Sequence, residues 1–247
     1  MPTVYAPTLL QTSRHSQRRL SLSKLLKNTF SNTTSIVFNY NTRNDNVILG
    51  DTYKVLYGND YIIEKCLGNK VKLHFKSFFQ VNPIQMEVLY NQAIKAANLS
   101  GNETCIDMYA GTGTIGMAVS KHAKSVIGVE IVKETVDNAN DNTKMNHIDN
   151  CHYVCQDATD FAHEHKSDKI DVVFIDPPRK GMAEIGIQDT VTMQPEKIIY
   201  VSCNPKTLSR DLKIFKNYGY QCEYVQPVDM FCQTTGLECV AKLSKIV

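Results

Sequence analysis

Short apolar runs alternate with helical patterns from residue 84 to the C-terminus, and this alternation constrains the fold most strongly. The clearest junction is residues 103–116 (ETCIDMYAGTGTIG), where an apolar run passes through a glycine-rich turn into a helical pattern. Strands that alternate with helices build a mostly parallel sheet with helices on both faces. We therefore predict an α/β domain with a doubly wound, Rossmann-like sheet over residues 77–247.

Size and composition are those of an ordinary folded protein. The chain has 247 residues, 43% hydrophobic, and a net charge of +2. It contains no apolar run of about 18 or more residues, so we predict no membrane span. Its eight cysteines lack the spacing of zinc or iron–sulfur sites. We expect no metal, no iron–sulfur cluster and a reducing, cytoplasmic location. No stretch identifies a protein partner, and we expect a monomer.

The N-terminal region is basic. Residues 1–44 contain no acidic side chain and carry six basic ones: Arg14, Arg18, Arg19, Lys24, Lys27 and Arg43. Such a segment is typical of a mitochondrial transit peptide, of an arm attracted to phosphates or of a folded basic helix. Leu22, Leu25, Leu26 and Phe30 follow helical spacing, which predicts an amphipathic helix over residues 16–30.

A β-rich segment follows this helix. Apolar and β-branched runs predict strands at residues 35–40, 46–49, 53–57, 61–66 and 70–76. In the last run Val71, Leu73 and Phe75 alternate with lysines and a histidine, as in a half-buried strand. We predict a small antiparallel α+β subdomain over residues 1–76 with lysines on its solvent side. A lysine face is usually only solvated, but beside a cleft it is also suited to a nucleic-acid backbone.

The second domain opens with a capped helix. Asn82 and Pro83 form a helix cap with proline at the first helical position, so we predict a helix over residues 84–98.

Four successive predicted strands end in an acidic residue: Asp107, Glu130, Asp157 and Asp176. The pattern Gly111, Gly113 and Gly116 alone is shared by sites for several cofactors, and an acid after the second strand accepts ribose hydroxyls. S-adenosylmethionine presents a sulfonium, an amino-acid end and an adenine amino group to such carboxylates, whereas NAD adds a pyrophosphate. The four acids therefore favour S-adenosylmethionine.

Two further motifs indicate methylation at carbon. In residues 176–181 (DPPRKG), Arg179 stands where methyltransferases acting on amino groups of bases usually carry an aromatic residue. Residues 198–205 (IIYVSCNP) deliver Cys203 to the end of a predicted strand, although a cysteine there is more often a small core residue. Methylation at C5 of a pyrimidine requires a thiolate that adds to C6 and a base that removes the C5 proton. Cys203 supplies the thiolate, and Glu238 is the best candidate for the base.

The chain resembles the S-adenosylmethionine-dependent RNA (uracil-5-)methyltransferases that form 5-methyluridine in bacterial tRNA and 23S rRNA. The resemblance begins at about residue 35 and rests on the motifs at residues 78–82, 107–113, 176–179, 201–205 and 229–238. It implies that Cys203 is the nucleophile and Glu238 the base. It also implies that S-adenosylmethionine is bound by Gln80, Tyr109, Glu130 and Asp176. A seven-stranded sheet closed by an antiparallel hairpin of residues 218–226 and 237–243 is implied as well.

We add further site residues to these. The predicted cofactor residues also include Gly111, Gly113 and Asp157, and the predicted RNA contacts are Phe79, Arg179 and Asn204. The RNA substrate is tRNA or rRNA, and the sequence does not choose between them.

This chain departs from the family pattern in three places. Members usually begin with an RNA-binding oligonucleotide-fold domain, often followed by a four-cysteine iron–sulfur segment, and the chain shows neither pattern. We therefore expect a shortened member. Its last motif has Cys232 and Gly236 where the family usually carries proline and histidine. Residues 1–34 match only loosely. Two alternatives remain open: a catalytically impaired remnant that binds S-adenosylmethionine or RNA, and a methyltransferase for another acceptor, such as cytosine or a small molecule.

Overall fold

A computed structural model describes residues 8–11, 16–42, 44 and 48–246. The chain forms two compact units. The first comprises Met1–Glu64 and Val71–Phe78, and the second comprises Lys65–Lys70 and Phe79–Val247. The sequence predicts the division between residues 76 and 77, whereas the structure assigns one short segment on each side of it to the other unit.

The described residues of the first unit form one helix and short strands. Its elements are β1 (Thr8–Gln11), α1 (Ser16–Thr29), β2 (Ile36–Tyr40), β3 (Thr52–Tyr57), β4 (Tyr61–Cys66) and β5 (Asn69–His74), the tip of the β4–β5 hairpin belonging to the second unit. β2 pairs with β3 in antiparallel orientation, but β1, which the sequence did not indicate, pairs with β2 in parallel. The sheet is therefore mixed. Of the strand predicted at residues 46–49, residues 46 and 47 lie outside the described residues, and residues 48 and 49 are not in a strand.

The predicted N-terminal helix is confirmed by α1, but most of the apolar residues that indicated it are exposed. Leu22, Leu25 and Phe30 are 40%, 61% and 52% exposed, whereas the small side chain of Ser23 is buried. Helical spacing in the sequence therefore located the helix and misassigned its inward face. The transit-peptide and phosphate-arm interpretations rest in part on residues 1–7 and 12–15, which lie outside the described residues.

The second unit is a seven-stranded sheet with helices between its strands. In chain order the elements are α2 (Pro83–Ala97), β6 (Thr104–Met108), α3 (Thr114–Val119), β7 (Ser125–Glu130), α4 (Lys133–Met145), β8 (Cys151–Cys155), α5 (Ala158–Glu164), β9 (Val172–Ile175), α6 (Glu184–Thr192), β10 (Lys197–Ser202), α7 (Pro205–Asn217), β11 (Tyr220–Val228) and β12 (Glu238–Lys245). The strand order is β11-β12-β10-β9-β6-β7-β8. β12 runs antiparallel to β10 and β11, and the other neighbours are parallel. The predicted α/β fold and its closing hairpin are confirmed.

The central strands of this sheet are buried on both faces. Ile106 in β6, Phe174 in β9 and Tyr200 in β10 are all 0% exposed. Because both faces of these strands are buried, successive residues are all apolar rather than alternating. Burial of each large apolar side chain contributes about 1.5–3 kcal/mol. From β6 the chain adds strands outward on one side (β7 and β8) and then returns to add β9 on the other side. In open α/β sheets, ligands bind at such a switch point, in the crevice at the carboxyl ends of the strands.

The predicted cap of α2 is confirmed. The Asn82 side chain accepts a hydrogen bond from the Gln85 N–H at 3.2 Å, and Pro83 is the first helical residue. Asn98 ends the helix in a left-handed conformation. Within the described part of the chain, none of the helices has both the length and the apolar character needed to cross a membrane.

Candidate active site

The site residues meet at one edge of the seven-stranded sheet. Parallel strands deliver five of the predicted residues to their carboxyl ends: Tyr109, Glu130, Asp157, Asp176 and Cys203. Glu238 arrives from the opposite direction, because it is the first residue of β12. Ser202 at the end of β10 pairs with Cys239. The sheet register therefore places Glu238 beside Cys203, although the two residues are far apart in sequence.

The glycine-rich turn after β6 has an unusual backbone. Tyr109, Gly111 and Gly113 have φ values of 62°, 54° and 82°. Glycine adopts this left-handed region freely, but a residue such as Tyr109 pays about 1–3 kcal/mol for it. The Glu130 carboxylate bridges this turn, since it accepts hydrogen bonds from the N–H groups of Gly111 and Val132, both at 3.1 Å. The turn and the second strand-end acid thus form one connected structure.

Tyr153 in β8 lies behind this turn and explains the positions of several glycines. A Cβ atom at Gly113, Gly116 or Gly128 would come within 2.6, 2.5 or 2.0 Å of the tyrosine side chain. The Tyr153 hydroxyl also donates a hydrogen bond to the Gly113 carbonyl at 2.8 Å. The glycine pattern in the sequence indicated only a cofactor-type turn and gave no indication of this tyrosine. Gly128, a lone glycine inside an apolar strand, was its one visible sign.

Asp107 in β6 is a buried acid at the edge of the crevice. One oxygen, Oδ2, accepts a hydrogen bond from the Gly116 N–H at 2.8 Å, and the other, Oδ1, is buried without a hydrogen-bond partner. Burial raises the pKa of Asp107 to about 7, although the Gly116 N–H opposes this shift. Asp107 is one of the four predicted strand-end acids but is not among the predicted site residues. Its unpartnered oxygen makes it a candidate to bind a cationic group.

Three charged groups surround the Cys203 thiol. Burial, followed by the carboxylates of Glu238 and Asp176, raises the pKa of Cys203, and the Arg179 guanidinium opposes this shift. Glu238 is 2% exposed, and burial raises its pKa to about 7 while Arg179 lowers it. Burial raises the pKa of the partly accessible Asp176 to about 8, with contributions from Glu238 and Asp107. The crevice is therefore rich in carboxyl groups that a cationic ligand would stabilise in their ionised form.

This set of groups fits S-adenosylmethionine. Its ammonium and sulfonium are cations, which suit the carboxyls of Asp107 and Asp176. Glu130, held at the end of the second strand, is at the position where an acid binds ribose hydroxyls in such folds. Across the described ranges, no three His, Cys, Asp or Glu side chains come together as they would around a metal ion.

Two predicted site residues also have structural roles. Asp157 caps α5, because its Oδ1 accepts a hydrogen bond from the Thr159 N–H at 2.8 Å. Asn204 caps α7 by accepting from the Lys206 N–H at 3.1 Å, and its Nδ2 donates to the Arg179 carbonyl, also at 3.1 Å. The amide of Asn204 is therefore used within the protein. Its predicted contact with RNA stays a prediction.

The predicted residues before α2 connect to the last motif. Gln80 is 7% exposed and Phe79 is half-buried. The Asn82 Nδ2 group donates a hydrogen bond to the Met230 carbonyl at 3.3 Å. This bond links the segment that carries Gln80 to the loop that precedes Glu238.

Gly236 in that loop stands in a tight turn. The Thr234 hydroxyl accepts a hydrogen bond from the Gly236 N–H at 3.0 Å and donates one to the Phe231 carbonyl at 2.7 Å. A Cβ atom at Gly236 would lie 3.0 Å from the Phe231 ring. At the position where the family usually carries histidine, the Phe231 ring therefore limits the space for a side chain in this chain.

Comparisons with known proteins identify a common family. Residues 44–246 match the family model described as tRNA (Uracil-5-)-methyltransferase. A Streptococcus mutans protein named as an uncharacterized RNA methyltransferase is 44% identical over 213 residues, which cover 85% of this chain and 47% of the relative. A similarly named protein of Bacillus cereus is 43% identical over 219 residues, covering 88% of this chain and 48% of the relative. This chain spans about half the length of the curated relatives it matches.

A solved structure agrees with these matches. The Pyrococcus abyssi tRNA (uracil-54, C5)-methyltransferase, solved in complex with S-adenosyl-L-homocysteine, is 27% identical and superposes with a TM-score of 0.75. The match covers 96% of this chain and 55% of that one.

Proposed function

The chain belongs to the tRNA (uracil-5-)methyltransferase family, and on this premise we propose that it methylates C5 of a uridine in RNA with S-adenosylmethionine as methyl donor. The observation that carries the proposal is the position of Cys203 and Glu238 at one end of the β10–β12 ladder. The nucleophile adds to C6 and the base removes the proton from C5 of the same uracil, so the two groups must lie in one cleft.

The crevice residues bind the cofactor in this proposal. Asp107 and Asp176 accept its cationic groups, Glu130 accepts its ribose hydroxyls, and the turn at Gly111 and Gly113 allows close approach of the backbone. Gln80, Tyr109 and Asp157 complete the set. A related structure holds S-adenosyl-L-homocysteine, which supports this assignment. When bound, S-adenosylmethionine supplies an electrophilic methyl group on a positively charged sulfur and leaves as S-adenosylhomocysteine.

The protein's own residues perform two steps on the base. The Cys203 thiolate adds to C6 of the uracil, and the electron pair of the C5–C6 double bond moves so that C5 becomes nucleophilic and takes the methyl group. Glu238 then removes the remaining C5 proton, the double bond re-forms, and the thiolate leaves. Both groups react in their ionised form. The positive charge of Arg179 favours ionisation of each by lowering its pKa.

The substrate class in this proposal is RNA, and both tRNA and rRNA remain candidates. The family description and the related structure name tRNA, which supports tRNA. In an RNA duplex the target base is stacked, so an enzyme that adds a thiol to C6 must act on an unstacked or flipped-out uridine. Phe79 and Arg179 are the proposed RNA contacts.

Covalent trapping tests this function. The full chain is incubated with 5-fluorouridine-substituted tRNA, or with substituted rRNA, and with labelled S-adenosylmethionine. Fluorine at C5 does not leave as a proton, so the adduct formed by Cys203 persists through denaturation. A methyl-labelled adduct that maps to Cys203 supports the uracil-5 reaction, and the RNA that gives it identifies the substrate class.

Other results distinguish the alternatives. Cofactor binding without an adduct on either RNA contradicts the proposal and favours a catalytically impaired remnant. Methylation of cytosine, or of a small molecule but not of uridine, favours another acceptor. Mass analysis of nucleosides from treated RNA separates these outcomes.

A further inference from the structure

A buried carboxylate, that of Asp211, pairs with the half-exposed Arg210 side chain next to the candidate active site and takes no part in the proposed chemistry. Asp211, on α7, is 0% exposed. Its Oδ2 accepts hydrogen bonds from the Tyr200 hydroxyl at 2.6 Å and from the Met182 N–H at 2.9 Å. Its Oδ1 accepts from the Arg210 Nε at 2.8 Å. In the sequence, an adjacent Arg and Asp on a polar helix are expected to be exposed to solvent. This hydrogen-bond network is therefore visible only in the structure.

The partners of Asp211 hold the loop that follows Asp176. The Arg210 guanidinium donates to the carbonyls of Lys180 at 3.0 Å and Met182 at 2.9 Å. Gly181 between them has a φ of 72°, and a Cβ atom there would lie 2.5 Å from the Asp211 carboxylate. The loop backbone is therefore packed directly against the buried carboxylate.

The same helix also holds the residue before this segment. The Arg179 carbonyl accepts hydrogen bonds from the Asn204 Nδ2 at 3.1 Å and from the Thr207 hydroxyl at 3.3 Å. The first turns of α7 thus fix the backbone of four consecutive residues, 179–182. Asn204 directly follows Cys203, so the nucleophile and the Arg179 loop are attached to one rigid element.

We propose that Asp211 and Arg210 are positioning residues that hold the Arg179 guanidinium close to Cys203 and Glu238. Stability alone explains the buried Asp211 carboxylate poorly, because removing a charged group from water is costly and its partner Arg210 is half exposed. Apolar side chains in its place would not provide the hydrogen bonds that fix the geometry of the loop. The catalytic consequence, though not the positioning itself, rests on the proposed uridine methylation.

The pH profile of Cys203 alkylation reports the position of Arg179. The ligand-free full chain is treated with iodoacetamide over a range of pH, and modification of Cys203 is followed by peptide mass spectrometry. The charged groups that affect this thiol are Glu238, Asp176 and Arg179. Loosening of the Arg179 loop removes the one positive charge among these three, so the alkylation midpoint should move to higher pH.

Two variants and one matched control make the test. Asp211→Asn keeps the shape of the side chain and removes its charge. Tyr200→Phe removes the hydrogen bond that the Tyr200 hydroxyl donates to the Asp211 carboxylate. Tyr220→Phe is the control, because Tyr220 is also buried and its hydroxyl also makes one short bond, at 2.7 Å to the Pro195 carbonyl. Both tyrosine rings pack edge-on against Phe215 at 6.4 Å. The two Tyr→Phe changes therefore carry similar structural costs.

We expect the thiolate fraction of Cys203 at neutral pH to fall on the order of threefold in Asp211→Asn, and by a smaller factor in Tyr200→Phe. Tyr220→Phe should leave the midpoint unchanged. With RNA, Asp211→Asn should lower kcat about tenfold or more with a smaller change in KM, because the bound geometry is misplaced.

Folded Asp211→Asn and Tyr200→Phe proteins with the wild-type alkylation midpoint would overturn the proposal, as would an equal shift in Tyr220→Phe. If Asp211→Asn does not fold, the comparison of Tyr200→Phe with Tyr220→Phe decides. The alkylation assay contains neither RNA nor cofactor. A shifted midpoint in a protein that traps no RNA would therefore support the positioning role while contradicting the methylation function.

Discussion

Glu238 begins the strand that pairs antiparallel with the one that ends just before Cys203, so the two side chains share one end of a ladder. The carboxylate raises the pKa of the thiol, while Arg179 lowers the pKa of both groups. A nucleophile and a base arranged in this way are coupled, and changing one must change the ionisation of the other.

Cys203→Ala should abolish both the covalent RNA adduct and methylated product, because Cys239, the other thiol at this end of the ladder, is only 4% exposed. It should keep binding of S-adenosylhomocysteine within about twofold, since the proposed cofactor groups lie on other strands. Calorimetry measures the binding, and gel electrophoresis under denaturing conditions detects the adduct. Cys222→Ala is the control, as Cys222 is also half-buried but lies on β11. An adduct that survives in Cys203→Ala would contradict the assigned nucleophile.

Glu238→Gln should accumulate the covalent adduct with unmodified RNA, because addition of the thiolate and methyl transfer precede the step that needs the base. The same change removes a negative charge next to Cys203, so the alkylation midpoint of Cys203 should move to lower pH. Glu223→Gln is the matched control, since Glu223 lies on the neighbouring strand and pairs with Lys242 at 2.8 Å. Normal turnover in Glu238→Gln would show that another group is the base.

Local signals in the sequence located much of this site. The cap at Asn82, the glycine-rich turn and the acids that end successive strands each depend on a few adjacent residues. Cys203 was located by its position at the end of a predicted strand, and the structure shows that α7 begins directly after it, with Asn204 as the cap. Such features are set by backbone chemistry that neighbouring residues determine, so a single chain reveals them.

Features that depend on distant parts of the chain were missed. Asp211 and Tyr200 are brought together by the packing of α7 on β10, and nothing in a polar Arg-Asp pair indicates burial. Tyr153 is separated by many residues from the Gly113 turn that it supports. In α1 the helical period was correct, but which face is buried depends on tertiary contacts that leucine spacing does not specify.

Gly128→Ala should destabilise the protein strongly, because its Cβ atom would lie 2.0 Å from the Tyr153 ring. Overpacking of this kind costs about 1–3 kcal/mol, and the loss of Tyr153 support should also weaken cofactor binding. Gly186→Ala is the control: its Cβ would meet only ordinary contacts at 3.6 Å or more, and alanine in a helix should add about 0.5–1 kcal/mol. Chemical denaturation of the two variants measures both effects. Equal stability would show that the strand backbone moves to accommodate Tyr153.

The ligand-free protein should lose stability as pH rises from about 4 to about 8. The folded-state pKa values of Asp107, Asp176 and Glu238 are raised to about 7, about 8 and about 7. In this range the folded protein therefore holds protons that the unfolded chain releases, and by linkage the free energy of unfolding falls with increasing pH.

The loss from these three groups is measured as a decrease in the unfolding temperature across the same range. Asp176→Asn should flatten the slope, because an amide does not titrate. Hydrogen bonds from Ser100 lower the pKa of Glu103 to about 2 despite the opposing effect of burial. Ionisation of Glu103 therefore increases stability with rising pH, but only below this pH range. S-adenosylmethionine should oppose the loss, as its positive charge stabilises the ionised carboxyls. An unfolding temperature that rises toward pH 8 without ligand would contradict the electrostatics described for the crevice.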